Sequence, residues 1–457
     1  MDLQKVTIEN FKCFQSKTEI DFGKLTLLTG ANSSGKSSII YSILGAIQSG
    51  EFPFQFSTNG KYVNMGDFTE IVHNHNKEKQ IKLAFTFVNG TIHNVETTWK
   101  ENSKNNLPQL LELRVTSDYF ELIIKYKNKK YIVDFKYNPE KDPQSQLISP
   151  DIYKKFITNI SDILSSVTPT KSDNKKDEEK DRHIDVEKVL KAMTQPQDIK
   201  GLEIDELSMT KTIEPIKLSQ IFDNILGLFN SYDKNLNFIS SFRLHPDRGY
   251  LETSKTNLKV SNDGKGYLDQ IIAWETKEPK KINELIQILN DLSLLNEIKS
   301  KRTEGGKYDL LIKTKEKGIF TSLYDVGFGI SQFLPIIVAD LQLNNSSTLF
   351  VAQPEIHLHP SVQSSFGDYL INQIKNSSKK YIIETHSEYL LNKIRLGIVK
   401  GEIDENDVKT YFIDNQGKEA VTYKIYFNKQ GQILNAPDNF FKTYMMDVME
   451  IAINAAN

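Results

Sequence analysis

The sequence predicts an α/β fold, in which a mixed, largely parallel sheet is flanked by helices and carries an inserted α+β lobe. Near the start of the chain, the apolar run 25–29 is followed by a glycine-containing loop and by apolar residues at helical spacing over 38–48. In the last third, strand patterns alternate with helix patterns, which is typical of a parallel sheet covered by helices. Between these parts lies a stretch with apolar residues at every second position, which indicates antiparallel strands.

The first strands precede the glycine loop. Apolar residues near positions 6–8, 11–14 and 20–22 predict two short strands that lead into the strand 25–29. From 80 to 135, period-two runs are broken by turn signals such as Asn89-Gly90. These runs predict an antiparallel meander of hairpins.

The middle of the chain predicts helices on both sides of a polar linker. The stretch 168–182 reads TPTKSDNKKDEEKDR and mixes charges of both signs, so we expect a solvated, disordered segment. Helical patterns cover 152–167, 186–193, 216–229, 271–274 and 282–292.

The last third of the chain contains the regular alternation of strand and helix patterns. The pattern predicts strands at 349–351, 381–385, 408–413 and 421–427, and helices at 361–374, 388–399 and 439–451. We therefore expect three parts: the first part of the α/β unit at 1–78, an insertion at 79–240 with a flexible linker near 168–183, and the remainder of the α/β unit at 241–457.

Composition narrows the class of protein. The chain has 457 residues, 39% of them hydrophobic, and a net charge of −2, so no global basic field is available to hold a polyanion. A single cysteine, Cys13, excludes an intramolecular disulfide and suits a reducing compartment. The opening MDLQKVTIEN lacks the apolar core of a signal peptide, and no run reaches the length of about 18 apolar residues that a membrane span needs. We expect a cytoplasmic protein with no membrane partner.

The loop Gly30-Ala31-Asn32-Ser33-Ser34-Gly35-Lys36-Ser37-Ser38 fits the phosphate-binding pattern GxxxxGK[ST]. Gly30 and Gly35 allow the backbone to curl so that its N–H groups point at phosphate oxygens, and the following helix adds its positive end. Lys36 would contact the β and γ phosphates, and the Ser37 hydroxyl would bind Mg²⁺. The predicted nucleotide contacts in this loop are Gly30, Asn32, Ser33, Ser34, Gly35, Lys36, Ser37 and Ser38.

Three further polar segments lie beside predicted strands or helices. Residues 325–332 read DVGFGISQ before an apolar helix, where backbone N–H groups could approach an anion. Residues 348–360 read TLFVAQPEIHLHP, an apolar strand that runs into a polar cluster. His386 follows the apolar strand 381–385, where a contact to a γ-phosphate belongs. The His357-x-His359 pair could ligate a metal, but orienting hydrogen bonds are the favoured interpretation.

Taken in this order, the segments resemble one family. The chain is similar to ABC-type ATPases among the RecF, SMC and OLD relatives, and most of all to a bacterial group of AAA-family ATPases. That group reads IEQPEIHLHP where this chain reads VAQPEIHLHP. The resemblance covers 6–44 and 325–390, with a weaker likeness at 433–441 and at Ser241-Phe242-Arg243, where the group often has an arginine.

The resemblance implies an ABC-type P-loop ATPase head with ATP and Mg²⁺ as cofactors. It implies that ATP lies between two copies of the chain in a head-to-tail homodimer. Residues 357–360 would form the D-loop along the dimer interface, and His386 would be the switch histidine. Gln48 or Gln55 would be the Q-loop glutamine near Mg²⁺. The signature motif, which contacts the γ-phosphate held by the opposite subunit, would include Gly327, Gly329, Ser331 and Gln332.

The chain departs from the group at Ala352, where the family has an acid. That acid, with Gln353 and Glu355 nearby, belongs to the Walker B and catalytic-base region. Alanine can neither hold a Mg²⁺-bound water nor take a proton, so we expect ATP binding with slow or absent hydrolysis. The protein is either naturally poor in hydrolysis or carries a Glu-to-Ala substitution that holds the ATP state, and the second explanation is favoured because the rest of the site is intact. A residual base at Glu355 is a further hypothesis.

Three functions are compatible with such a head. The first is a sensor ATPase in bacterial anti-phage defence that regulates a separate effector, such as a nuclease or toxin. The second is a DNA-maintenance clamp like RecF or SMC, whose best local DNA-binding candidate is Lys125, Lys127, Lys129 and Lys130 beside Tyr126 and Tyr131. The third is a scaffold in which ATP closes the dimer and the insertion, about 80–240, presents a partner surface.

Overall fold

A computed structural model describes residues 2–142, 197–204, 216–251, 259–438 and 440. The predicted helices at 152–167 and 186–193 and the polar linker at 168–182 lie outside the described residues. The same holds for the closing helix at 439–451, apart from Phe440.

The described strands follow one another along the whole chain. They are β1 (Asp2–Glu9), β2 (Thr18–Asp21), β3 (Leu25–Gly30), β4 (Ile81–Asn89), β5 (Thr91–Glu101), β6 (Pro108–Ser117), β7 (Phe120–Lys127), β8 (Lys130–Tyr137), β9 (Gln197–Ile204), β10 (Leu236–Ile239), β11 (Tyr250–Leu251), β12 (Glu297–Arg302), β13 (Lys307–Lys313), β14 (Thr321–Ser322), β15 (Thr348–Ala352), β16 (Lys380–Glu384), β17 (Val408–Asn415), β18 (Ala420–Phe427) and β19 (Ile433–Leu434).

The longer described helices lie mostly in the second half of the chain. They are α1 (Lys36–Gln48), α2 (Ile216–Lys234), α3 (Tyr267–Lys277), α4 (Pro279–Asp291), α5 (Phe328–Gln342), α6 (Pro360–Asn376) and α7 (Glu388–Val399). Each of them overlaps a helix that the apolar periodicity predicts, so these predictions are confirmed.

The predicted meander is confirmed and belongs to a larger sheet. This antiparallel sheet has the order β2-β1-β4-β5-β6-β7-β8-β9. Because β1 pairs with β4, the sheet crosses the boundary that the sequence predicts at residue 78. Aromatic rings pack together on its inner face. The rings of Phe52, Phe85 and Phe87 each lie next to Phe229 of α2, and the Phe52 ring also lies next to those of Phe85 and Trp99. The inserted lobe is therefore continuous with the N-terminal hairpin.

The second sheet has the order β10-β15-β16-β3-β17-β18-β19. Its first five strands are parallel neighbours, which confirms the predicted parallel sheet, and β18 and β19 extend it in antiparallel pairing. Every residue of β3 and of β15 is buried, as a strand covered on both faces requires. Strand β10 comes from the predicted insertion, so that insertion supplies one edge of this sheet.

Two hydrophobic cores cover the two faces of the parallel sheet. Leu28, Phe350 and Ile382 point into the core that contains α1, α2 and the antiparallel sheet. Their strand neighbours Val351 and Ile383 point into the core formed with α3 to α7. A small sheet of β11, β12, β13 and β14, which the sequence reading leaves out, packs beside this second core. Because the strands are parallel, the carboxyl ends of β10, β15, β16 and β3 meet at one edge, where ligands bind in open α/β sheets.

Candidate nucleotide site

The glycine loop joins β3 to α1 and has the backbone that its glycines permit. Gly30 and Gly35 have φ angles of 139° and 113°, in a region that L side chains rarely adopt. A Cβ atom at Gly30 would clash with the Ile413 carbonyl oxygen, and one at Gly35 would clash with the Cys13 sulfur. Both glycines are therefore required by conformation and by close packing.

Lys36 lies buried inside this loop. Its Nζ donates to the carbonyl oxygens of Gly30, at 3.1 Å, and of Ala31, at 2.7 Å. Burial lowers the pKa of Lys36, and the carboxylates of Glu384 and Glu355 oppose that shift. The hydroxyl of Ser34 is also buried and has no hydrogen-bond partner among the described residues. A buried cation and an orphaned hydroxyl under a glycine cradle fit the phosphates of a nucleotide.

The other loop residues divide between an exposed tip and the start of α1. Asn32 and Ser33 are exposed, and Ser33 has a left-handed backbone with φ of 59°. Ser38 is half-buried, and its hydroxyl lies 3.9 Å from the Cys13 sulfur. Ser37 is the residue that the pattern assigns to Mg²⁺.

The Ser37 hydroxyl donates to the carboxylate of Glu384, at 2.8 Å from Oε2 and 3.0 Å from Oε1. Glu384 is the last residue of β16 and is only 4% exposed. Burial raises its pKa, while the Ser37 hydrogen bond and the Lys36 charge lower it. Glu384 is not among the site residues predicted from the sequence, although an acid at the end of an apolar strand is a signal for such a role. Ser37 and Glu384 together have the oxygen donors that suit Mg²⁺.

Ala352 and Gln353 lie at the end of the neighbouring strand β15. Ala352 is the register partner of Glu384. Gln353 has a left-handed backbone with φ of 47°, and its N–H donates to the Glu384 carbonyl at 2.7 Å. Its side-chain amide nitrogen lies 3.2 Å from Nε2 of His386. Gln353 and His386, which the sequence predicts separately, are thus brought together.

His386 is half-buried behind the loop. Burial lowers its pKa, the nearby Lys36 charge lowers it further, and a hydrogen bond to the Gly30 carbonyl opposes both effects. The net lowering of the pKa favours the neutral form of the imidazole.

Glu355 supports the turn that carries His386. Its Oε1 accepts the His386 backbone N–H at 2.6 Å, and its Oε2 accepts the Thr385 hydroxyl at 2.9 Å. Burial raises the pKa of Glu355. The carboxylate therefore holds this turn in place through one hydrogen bond to each of its oxygens.

Arg243 follows β10 and adds a cation from the far strand. Its guanidinium donates from Nη2 to the Gln353 carbonyl at 3.1 Å. The residue is 4% exposed, and its Nε and Nη1 atoms have no partner among the described residues. Burial lowers the pKa of Arg243 to about 10, while the Glu355 charge raises it. A buried guanidinium whose Nε and Nη1 atoms are unpaired within the described ranges therefore lies at this edge of the sheet.

The predicted signature segment begins α5. Gly327 and Phe328 are exposed, whereas a Cβ at Gly329 would lie 2.8 Å from the His357 carbonyl oxygen. The Ser331 hydroxyl donates to the Phe328 carbonyl at 3.1 Å, and the Gln332 amide donates to the Leu244 carbonyl at 3.4 Å. These two side chains are buried and bonded within the fold, which leaves the backbone at the helix start as the accessible feature. The nucleotide contacts assigned to this segment stay predictions.

The two candidates for the Q-loop glutamine are Gln48, the last residue of α1, and Gln55, in the loop that follows. The Gln48 amide makes four hydrogen bonds of 3.0–3.1 Å, donating to the carbonyls of Ser57 and Val63 and accepting the N–H groups of Tyr62 and Val63. These bonds disfavour Gln48 as a Mg²⁺ ligand. Gln55 is exposed in the following loop. The assignment of either glutamine to Mg²⁺ stays a prediction.

The two histidines of the predicted D-loop have orienting contacts. The His359 ring caps α6, with Nδ1 accepting the Ser361 N–H at 3.3 Å. The His357 ring lies 5.6 Å from the Phe328 ring, between ring centres. Over the described part of the chain, no group of three or more His, Cys, Asp or Glu residues could hold a metal ion. The orienting interpretation is therefore favoured.

A glycine cradle after the central strand, a buried lysine, a serine–carboxylate pair and a histidine that follows the adjacent strand are the features of a P-loop ATPase. The chain matches the AAA ATPase domain family over residues 1–391 and belongs to that family. Members of such ATPase families use ATP with Mg²⁺. A comparison with curated proteins finds no match.

Among solved structures, the chain is similar to the SMC head domain from Thermotoga maritima, with a TM-score of 0.39 and 11% identity over 93% of this chain and 99% of that one. It is also similar to an SMC head domain from Pyrococcus furiosus bound to the C-terminal domain of ScpA, with a TM-score of 0.39 and 12% identity over 100% of this chain and 99% of that one. At these scores the likeness carries no weight for function, and the fold class depends on the strand order and the family match. None of the described helices is long and apolar enough to cross a membrane.

Proposed function

We propose that the chain is an ATP-binding head that closes on a second copy around Mg²⁺-ATP and hydrolyses the nucleotide slowly or not at all. The observation that carries the proposal is the carboxyl edge of the parallel sheet, where the P-loop follows β3 and where Ala352 and Gln353 lie at the end of β15, two strands away. Lys36 would hold the β and γ phosphates, and Ser37 would hold Mg²⁺, which neutralises charge on the phosphate oxygens.

Slow hydrolysis follows from the side chains at the end of β15. Ala352 has no polar group, and the Gln353 amide cannot take a proton from water. Glu355 is engaged by Thr385 and His386. Losing a general base typically costs a factor of about 10² to 10⁴ in rate, whereas binding depends on the P-loop.

Closure on a second copy is supported by the exposed surface around the start of α5. Phe328 is 54% exposed and Phe242 is 77% exposed. The His245 ring lies 4.8 Å from the Phe328 ring and 5.3 Å from the Tyr324 ring, and the Arg248 guanidinium lies 4.4 Å from the Tyr324 ring centre. Exposed apolar groups rimmed by charge are typical of protein interfaces. A second copy would bring its own nucleotide to Gly327 and Gly329.

The binding half of the proposal is tested with Lys36→Ala. We expect the unchanged chain to bind ATP and to shift from monomer to dimer in light scattering when Mg²⁺-ATP is added. Lys36→Ala removes the buried cation of the loop and should abolish either binding or the shift. If the variant keeps both, the loop is not the nucleotide site.

The hydrolysis half is tested by phosphate release with Ala352→Glu, and Ala352→Gln serves as a control of similar size without a carboxylate. We expect the Glu variant to turn over at least about 10²-fold faster than the unchanged chain, because it restores an acid at the family position. Equal turnover in the three proteins would contradict the role assigned to residue 352.

We further propose that the closed dimer regulates a separate effector, such as a nuclease or toxin, in the bacterial cytoplasm as part of anti-phage defence. The support is the sequence likeness at 352–360 together with an edge suited to holding ATP rather than cycling it. A pull-down with ATP should capture the product of a neighbouring gene, and Lys36→Ala should lose it. Capture that is independent of ATP and of Lys36 would contradict this role.

A DNA-maintenance clamp is the alternative, and its predicted basic tip has weaker support. Lys125 lies 3.5 Å from Glu112, and Lys130 lies 2.8 Å from Glu203. Lys127 and Lys129 are exposed at the turn. Since two of the four lysines are paired with acids, the free positive charge is small. A gel mobility shift of DNA that weakens with added salt, and that is lost in the double variant Lys127→Ala/Lys129→Ala, would favour the clamp.

A further inference from the structure

We propose that Glu384 supplies the Mg²⁺-binding carboxylate that residue 352 lacks, so that the acid of the site has moved from β15 to the neighbouring strand β16. The proposal rests on the nucleotide binding proposed above and names a residue for the metal half of that site. It assigns Glu384 as a ligand of the ion or of its bound water.

The strand order places Glu384 closer to the P-loop than residue 352. Strand β16 lies directly beside β3, whereas β15 is one strand further away. Ala352, Glu384 and Leu28 form one row across the three strands. Neighbouring strands are about 4.8 Å apart, so residue 352 begins roughly 10 Å from the P-loop strand and Glu384 begins at half that distance.

The side chain also points to the correct face. Leu28, Ile382 and Ala352 belong to the core on the side of α1, the helix that carries Ser37. Because alternate residues of a strand share a face, Glu384 points to the same side as Ile382. The contact with Ser37 agrees, since both carboxylate oxygens lie within 3.0 Å of the hydroxyl.

Burial provides the third observation. A carboxylate that is 4% exposed costs free energy unless a cation or hydrogen-bond donors compensate it. The hydrogen bonds described for the Glu384 carboxylate come from the single Ser37 hydroxyl, and Lys36 is the nearby cation. An acid in this position beside the predicted Mg²⁺ ligand is suited to a divalent cation, whose preferred ligands are oxygen atoms.

The experiment measures the affinity for a fluorescent ATP analogue in excess Mg²⁺ and in EDTA. The variants are Glu384→Gln and the matched control Glu388→Gln, which makes the same chemical change at the start of α7. The unchanged chain and the control should bind more tightly with Mg²⁺. Glu384→Gln should lose this gain by about 10- to 100-fold, while its affinity in EDTA stays the same or rises. Bound Mn²⁺, read by electron paramagnetic resonance, should fall in parallel.

Moving the carboxylate from residue 384 to residue 352 makes the test more specific. Ala352→Asp in the Glu384→Gln background places a carboxylate in the register-partner position and should restore part of the Mg²⁺ dependence. Circular dichroism checks that each variant folds. If Glu384→Gln does not fold, Glu384→Asp replaces it, because that change keeps the charge but withdraws the carboxylate from Ser37 by one methylene.

The outcomes separate this proposal from the proposed function. If Glu384→Gln or Glu384→Asp keeps the full Mg²⁺ dependence, the proposal is overturned while nucleotide binding stands. If the affinity falls equally in EDTA and in Mg²⁺, Glu384 is a counter-ion of Lys36 and the proposal is overturned as well. If the unchanged chain binds no nucleotide in either condition, the proposed function itself fails.

Discussion

Two clusters of buried charge lie on the same parallel sheet, one beneath its helices and one at its ligand edge. Beneath the helices, Asp340 of α5 is fully buried and accepts hydrogen bonds from the Lys379 ammonium at 3.1 Å and from the Tyr381 hydroxyl at 3.1 Å. The Tyr369 hydroxyl also donates to this carboxylate. Lys379 gains a second bond to the Asp340 carbonyl at 2.7 Å. Every charge in this cluster is compensated.

The ligand edge, where the carboxyl ends of the parallel strands meet, differs because some of its buried polar groups are not compensated by described residues. Within the part of the chain that the structure describes, two buried nitrogen atoms of Arg243 and the buried hydroxyl of Ser34 have no hydrogen-bond partner. Gln353 and Ser33 have left-handed backbones. Unsatisfied buried groups and unusual backbone angles cost stability and tend to occur where a ligand completes the site. The difference indicates that the Asp340 cluster stabilises the fold, whereas the edge of the sheet has the features expected of a ligand-binding site.

The largest expected effect comes from Asp340→Ala. The change leaves the Lys379 ammonium buried without its carboxylate and frees two tyrosine hydroxyls, so we expect a loss of about 3–5 kcal/mol in the free energy of unfolding. Urea denaturation measures this loss. ATP affinity at a temperature where the variant is folded should be unchanged.

A surface pair provides the matched control for that experiment. Asp368 lies 2.9 Å from Lys393, and its side chain is 57% exposed. Asp368→Ala should cost less than about 1 kcal/mol because solvent screens the pair. Equal losses in the two variants would contradict the view that burial makes the Asp340 cluster structural.

The second prediction concerns Arg243→Met, which removes a buried charge and keeps most of the side-chain volume. Because two guanidinium nitrogens have no partner among the residues that the structure describes, the free energy of unfolding should change by less than about 1 kcal/mol or rise. ATP affinity should fall about 10-fold, as expected for the loss of one charge-assisted hydrogen bond. A large loss of stability with unchanged affinity would instead make Arg243 a structural residue like Asp340.

The smallest effect is expected from alkaline pH. Burial and the Asp340 charge raise the pKa of Tyr369 and of Tyr381 above the ordinary tyrosine value of 10.0. A raised folded-state pKa means that the stabilisation is complete below pH 10 and is lost as pH rises further. Tyr369→Phe should cost about 1 kcal/mol at pH 7, from one lost hydrogen bond, and should weaken the alkaline loss. Denaturation at a series of pH values checks both parts, and an identical alkaline profile would contradict the assignment.

Local chemistry explains which parts of this molecule the sequence could predict. The P-loop is contiguous, so the spacing of its glycines, lysine and serine predicts it without any tertiary information. The helices α1, α2 and α6 and the parallel strands are predictable because apolar periodicity reports which face is buried. The alanine at position 352 was also visible in the sequence, and the resemblance of the surrounding motif predicts an acid at this position.

The sequence by itself therefore determined the nucleotide loop, the α/β class and the lack of an acid at residue 352. Tertiary structure decided which side chains share the site with that loop. The hydrogen bond between Ser37 and Glu384 joins residues 347 positions apart, and the one between Arg243 and Gln353 joins residues 110 positions apart. Such partners depend on the strand order β10-β15-β16-β3, which results from pairing and burial across the whole chain rather than from any local pattern.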